Sequence, residues 1–143
     1  MSMRDILERK CRNVETIGVT DTLKTAADKM REKKIAALVV MERASVRGIL
    51  SERDIVQALS VHGLAVFSTK IADVMSKEVV MVKMDESVKQ AMRLMTRYRT
   101  RHLLVLNDGA LAGIVSIGDA VKNRLEDLEL EGNVLRDATI AAH

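Results

Sequence analysis

Apolar positions along the chain fall into two spacings that alternate in the same order twice. Leu23, Ala26, Ala27 and Met30 recur at helical intervals, as do Val88, Ala91, Met92 and Met95. Each set marks one buried face of an amphipathic helix. Thr22 and Ser87 occupy the expected N-cap positions, and Ser87 with Gln90 reads as a capping box. Further on, Leu38-Val39-Val40-Met41 and Leu103-Leu104-Val105-Leu106 are unbroken apolar runs, the pattern of strands covered on both faces. A polar turn follows each run, at 42–45 and at 107–109, and return strands are predicted over 46–50 and 111–115. Short apolar strands around 15–19 and 79–82 precede the helices, and a second helix begins near Ser51 and near Ser116. The predicted order is therefore β-α-β-β-α, twice.

The two copies are a sequence repeat. Sliding the chain by 65 positions lays 14–56 on 79–121 without a gap, and eleven positions are identical. Lys24/Lys89, Ala26/Ala91, Met30/Met95, Leu38/Leu103 and Val40/Val105 repeat the helix face and the central strand. Gly48/Gly113, Ile49/Ile114, Ser51/Ser116 and Asp54/Asp119 repeat the turn into the second helix. Two copies are too few for a solenoid, so a pseudo-symmetric pair burying a shared face is predicted. Asp5-Ile6-Leu7 and Asp73-Val74-Met75 resemble each other as short helical lead-ins, and residues 60–70 link the copies. The reading divides the chain into a first unit over 1–64 with its lead-in, a second over 65–128 and a C-terminal helical extension over 129–143. That extension continues an apolar pattern through Leu125, Leu128, Leu130, Val134 and Leu135, which makes it a candidate dimer element.

Composition narrows the class. Hydrophobic residues make up 48% and charged residues 30% of 143 residues, a globular balance. Tyr98 and Phe67 are the only aromatics, so the core must be aliphatic and Met-rich. The single cysteine, Cys11, forbids an internal disulfide and fits a reducing cytoplasm. No apolar run is long enough to span a membrane, and the start lacks the apolar stretch of a signal peptide. The net charge of +3 does not demand a polyanionic partner.

The chemistry lies in the repeated turns, Gly48-Ile49-Leu50-Ser51-Glu52-Arg53-Asp54 and Gly113-Ile114-Val115-Ser116-Ile117-Gly118-Asp119. One reading is structural: Ser caps the helix, and the acid three residues on reaches back to the cap. The other is a binding site. A helix N-terminus suits a phosphate, and a Ser hydroxyl adds a donor there. The carboxylate would repel that phosphate, so it should face a neutral group with adjacent donors, such as a ribose diol. The glycine permits close approach of backbone or ligand.

With the upstream helices and the Leu-Val-Val strands, these turns resemble a tandem pair of CBS (cystathionine β-synthase) domains, also called a Bateman module. The resemblance covers nearly the whole chain. It implies an α/β (α+β) fold of two pseudo-symmetric β-α-β-β-α repeats packed through their sheets, assembled as a homodimer. It also implies a regulatory module that senses an adenine nucleotide, AMP first, with NAD(H), ADP, ATP or S-adenosylmethionine as alternatives, and signals to a separate regulated protein. By that pattern Asp54 and Asp119 hold ribose hydroxyls, Ser51 and Ser116 lie near ribose or phosphate, and backbone at Thr16-Ile17 and Val80-Met81 faces the base. Many members carry Pro in the strand occupied here by Leu38-Val39 and Leu103-Leu104, and this chain has none. In the second copy Arg101-His102 stand where the family places phosphate-contacting residues, opposite Ala36-Ala37 in the first copy, with Arg53 partly compensating. Asp119, Ser116, Arg101 and His102 are thus expected to form the better phosphate-bearing site, with Gly113 counted among the ligand-binding residues.

Other chemistries find little support. His62, His102 and His143 share no metal-ligand spacing with Cys11, and no Ser-His-acid arrangement supports nucleophilic catalysis. The basic run Arg93, Arg97, Tyr98, Arg99, Arg101 reads as a solvated helix face or a ligand-phosphate contact; nucleic-acid binding comes third, because no series of aromatics offers base stacking and the C-terminal end is acidic. The competing reading from a different class is a non-catalytic dimeric scaffold whose motifs serve only as helix caps.

Overall fold

A computed structural model describes residues 1–10 and 14–132. Cys11, His143 and the 133–143 part of the predicted extension, with Val134 and Leu135, lie outside the described residues. The chain opens with α1 (Met3–Lys10) and then runs β1 (Thr16–Gly18), α2 (Leu23–Lys33), β2 (Ala37–Glu42), β3 (Ser45–Ser51) and α3 (Glu52–His62). Two 3₁₀ segments, Gly63–Ser68 and Ile71–Asp73, lead to β4 (Met81–Lys83), α4 (Val88–Tyr98), β5 (His102–Asn107), β6 (Ala110–Ser116) and α5 (Ile117–Gly132).

The repeat is reproduced in strand pairing and register. In each three-stranded sheet the first strand pairs parallel and the third antiparallel to the central strand. Thr16 lies opposite Val39 as Met81 lies opposite Leu104, and Ala37 opposite Ser51 as His102 opposite Ser116. The register slips at Val40/Met41 and again at Val105/Leu106. The Glu52 amide donates to the Ala36 carbonyl as Ile117 donates to Arg101, so each second helix is pinned to the start of its central strand.

Strand alternation decides what each apolar run buries. Leu38 and Val40 face α2 and α3 in the first core, with Leu23, Ala26, Met30 and Ala58. Leu103 and Val105 do the same beside Val88, Ala91, Met95 and Ala120. The residues between them, Val39 and Leu104, point the other way and meet in a third cluster with Ala37 and Ile49, sealing the two sheets together. Both runs are therefore covered on both faces, which explains the lack of a polar alternate position.

The lead-ins cross over. Met3 and Ile6 of α1 are buried in the second core, and the Met3 and Arg4 amides donate to the Glu86 and Met84 carbonyls. The link returns the arrangement: Val66 and Ile71 complete the first core, and Ile71 and Ala72 donate to Asp21 and Val19. Each repeated glycine makes room for the visiting segment. A Cβ on Gly48 would stand 2.5 Å from the Ser76 carbonyl oxygen, and one on Gly113 would stand 2.5 Å from the Leu7 side chain. Thr22 and Ser87 cap α2 and α4 as predicted, each hydroxyl accepting an amide three residues on. Gln90 does not return the bond; the Ser87 amide donates instead to the neighbouring Glu86 carboxylate at 3.2 Å.

Candidate functional site

Two cavities open where the halves meet. Both lie at one end of the sheets, because the starts of the first and central strands, the end of the return strand and the mouth of the following helix all converge there. The larger, about 900 Å³, is lined by Ser51, Arg53 and Asp54 from the first half and by Ser76, Lys77, Arg99, Arg101, His102 and Ser116 from beyond it. The smaller, about 430 Å³, is lined by Gly113, Ser116 and Asp119 from the second half and by Lys10, Val14, Glu15, Lys34, Ala36 and Ala37 from the first. Each cavity thus combines one half's helix mouth with the other half's strand starts.

The predicted residues are divided between them. Arg101 lines the Asp54 cavity and not the Asp119 cavity, so the expected grouping of Arg101 with Asp119 is split. Arg101 immediately precedes β5 and faces only the larger cavity, whereas His102, the first residue of β5, stands between the two. His102 borders both cavities, as does Ser116. Thr16, Ile17, Val80 and Met81 line neither. Ile17 is buried in the first core, and the Val80 carbonyl accepts from the Leu104 amide. The chain reaches the cavities just upstream of those strands, at Val14-Glu15 and at Lys77-Glu78. Gly113 borders the smaller cavity, but Leu7 already occupies the space its missing side chain leaves.

Both carboxylates are in capping geometry. Asp54 Oδ2 accepts from the Ser51 amide at 2.9 Å and the Ser51 hydroxyl at 3.0 Å, and Asp119 Oδ2 accepts from the Ser116 amide at 2.9 Å. The serine hydroxyls accept the Asp54 and Asp119 amides in return, at 3.2 and 3.1 Å. Capping leaves acceptor capacity, because a carboxylate has about four lone-pair sites. Among the described residues Asp54 Oδ1 accepts only from the Ser76 hydroxyl, at 3.0 Å. No hydrogen bond is made to Asp119 Oδ1 among the described residues; Oδ2 instead takes a second donor, the Lys10 ammonium at 2.8 Å.

The charge around the two acids differs. Arg53, Lys77, Arg99 and Arg101 make no ion pair among the described residues and all line the Asp54 cavity. In the smaller cavity Lys10 is paired with Asp119, Arg9 hydrogen-bonds Glu126 and Asn123, and Glu15 is held by Lys29 and Lys33. Burial raises the Asp119 pKa, but the Lys10 hydrogen bond and the Ser116 amide outweigh it and hold the carboxyl below its ordinary 3.8. Burial also pushes His102 below 6.5, with Lys10 and Arg101 adding to the shift against the opposing carboxylates of Asp119 and Asp54. Without a ligand the surroundings of His102 therefore favour the neutral imidazole.

The sequence pattern missed Lys10, Lys34 and Ser76. Lys34 and Arg99 are equivalent non-glycine residues in left-handed conformation, φ 55° and 52°, ending α2 and α4 at the rim of a cavity. Non-glycine residues pay for that conformation, and such strain gathers at binding sites. Two basic residues at equivalent positions were a readable signal. Lys10 and Ser76 were not readable, because each arrives through the crossed lead-in.

Comparison with known proteins places these features in one family. The CBS domain model matches residues 3–61 and 71–126. The chain is 38% identical over 107 residues to the CBS domain-containing mitochondrial protein CBSX3 of Arabidopsis thaliana, an alignment spanning 71% of this chain and 52% of that protein. The crystal structure of the CBS-domain containing protein ATU1752 from Agrobacterium tumefaciens superposes with a TM-score of 0.83 at 39% identity, covering 87% of this chain and 99% of that one. The crystal structure of CBSX2 in complex with AMP shares the fold, with a TM-score of 0.73 at 21% identity over 87% of this chain and 97% of that one.

Proposed function

This chain belongs to the CBS-domain family, and from that premise we propose that it is a non-catalytic regulatory module that binds AMP in the Asp54 cavity. The observation that carries the reading is the mixed charge of that cavity's wall: the carboxylates of Asp54, Glu52 and Glu78, which make no ion pair among the described residues, stand with Arg53, Lys77, Arg99 and Arg101. An acid alone suits a sugar and cations alone suit a phosphate; a nucleoside phosphate needs both. The ribose hydroxyls donate to Asp54 Oδ1 in place of the Ser76 hydroxyl, the phosphate meets the arginines and the mouth of α3, and Ile49 flanks the base. The AMP complex of CBSX2, which shares this fold, supports AMP over ADP, ATP, NAD(H) and S-adenosylmethionine.

Because the cavity walls come from both halves, a ligand that fits one packing of the halves better than another shifts the balance between them. It does so only by its difference in affinity for the two. A second copy of the chain and a separate regulated protein are the partners through which that shift is passed on. The single cysteine supports a cytoplasmic setting.

One observation favours the scaffold reading: both carboxylates already serve as helix caps. Calorimetric titration with AMP separates the two. The module reading expects saturable binding that Asp54→Asn weakens at least tenfold, about 1.4 kcal/mol. Absence of AMP binding, or binding indifferent to Asp54→Asn, favours the scaffold.

A further inference from the structure

The two motif carboxylates differ in what already holds them. Among the described residues Asp54 receives neutral donors alone, from the Ser51 amide and hydroxyl and from the Ser76 hydroxyl. Asp119 is ion-paired: the Lys10 ammonium donates to its Oδ2 at 2.8 Å and to the Ile114 carbonyl at 2.9 Å. Both side chains of this pair are only 24% exposed, so water and salt screen it less than a surface pair. Lys10 is also not a free surface chain. It ends α1, whose Met3 and Ile6 are fully packed in the second core and whose Leu7 sits against Gly113, three residues before the Ser116 cap. The helix that carries the lysine is thus docked beside the acid it pairs with.

A ribose diol offers a carboxylate two neutral O–H donors. An ammonium offers N–H donors and a full compensating charge, and charge-assisted bonds are the stronger kind. With Oδ2 taken by the Ser116 amide and by Lys10, a sugar at Asp119 would find one oxygen and a charge already countered. We infer that Lys10 is a built-in competitor for the sugar at Asp119, so that the two cavities are unequal and the second fills only when α1 releases the lysine. The inference rests on the reading of the cavities as nucleotide sites. It makes the chain a one-ligand module at rest, with the second ligand coupled to movement of α1.

Titration of AMP into the full chain and into Lys10→Met tests it. One AMP per chain is expected for the unaltered protein. Lys10→Met should take up a second AMP, with an affinity at Asp119 raised at least tenfold, and the double variant Lys10→Met/Asp119→Asn should return to one. Lys10→Arg, which keeps the charge, should stay at one and controls for the folding of α1. Two equal sites in the unaltered protein would overturn the inference. So would a Lys10→Met variant that still binds one, or one that binds AMP more weakly because Lys10 is itself a phosphate contact. Failure of both proteins to bind any AMP would overturn the nucleotide reading together with it. A single site in both would leave the nucleotide reading standing and remove only the competitor.

Discussion

His102 shows how much one position can report. It stands at the start of β5, opposite Ser116, with Asp54 and Arg101 on one side and Asp119 and Lys10 on the other. Its burial favours the neutral ring, so its pKa in the folded chain lies below 6.5. A base held below its unfolded value contributes stability that is fully present above that value and is lost as pH falls through the window beneath it. Melting temperature should therefore drop as pH falls below 6.5, and His102→Gln should flatten the drop. A melting temperature that is flat or rises across that range would contradict the burial described. Asp119 does not confuse the measurement: its carboxyl is held below 3.8, so its contribution persists above that value and fades only in stronger acid.

At the scale of elements, most of what periodicity can encode was legible. The stripe Leu23, Ala26, Met30 and its equivalent Val88, Ala91, Met95 are buried as a 3.6-residue period requires. The paired motifs were legible because they repeat in register. The cavities are lined by Val14-Glu15 and Lys77-Glu78, just upstream of the residues that the resemblance implies in β1 and β4. Sequence spacing groups Arg101 with Asp119, whereas Arg101 lines the Asp54 cavity, because spacing does not say which half faces which cavity. The helices that end each unit leave a further feature open. Ile117, Val121, Leu125 and Leu128 on α5 are exposed at intervals of one helical turn, as is Val56 at the position in α3 equivalent to Val121. Such a stripe suits a second copy of the chain. Leu125→Glu should convert a dimer to a monomer in sedimentation equilibrium while the helical circular dichroism is retained. An unaltered protein that sediments as a monomer would remove this surface from the account.

For the whole molecule, the crossed lead-ins matter more than the repeat alone. Neither half completes its core without a segment from the other side: α1 serves the second, and residues 66–71 serve the first. The sheets are sealed through Val39 and Leu104, so the cavities at their ends are walled by both halves and a ligand there touches the contact between them. A repeat predicts two similar units; it does not predict that they exchange parts, because exchange depends on the path of the connections and not on the pattern within either copy. The account stands or falls on what occupies the larger cavity. A crystal structure of the chain grown with AMP should show the ribose hydroxyls within hydrogen-bond distance of Asp54, with the phosphate against Arg101. AMP bound elsewhere on the molecule, or a cavity left open with Asp54 still donated to by Ser76, would contradict it.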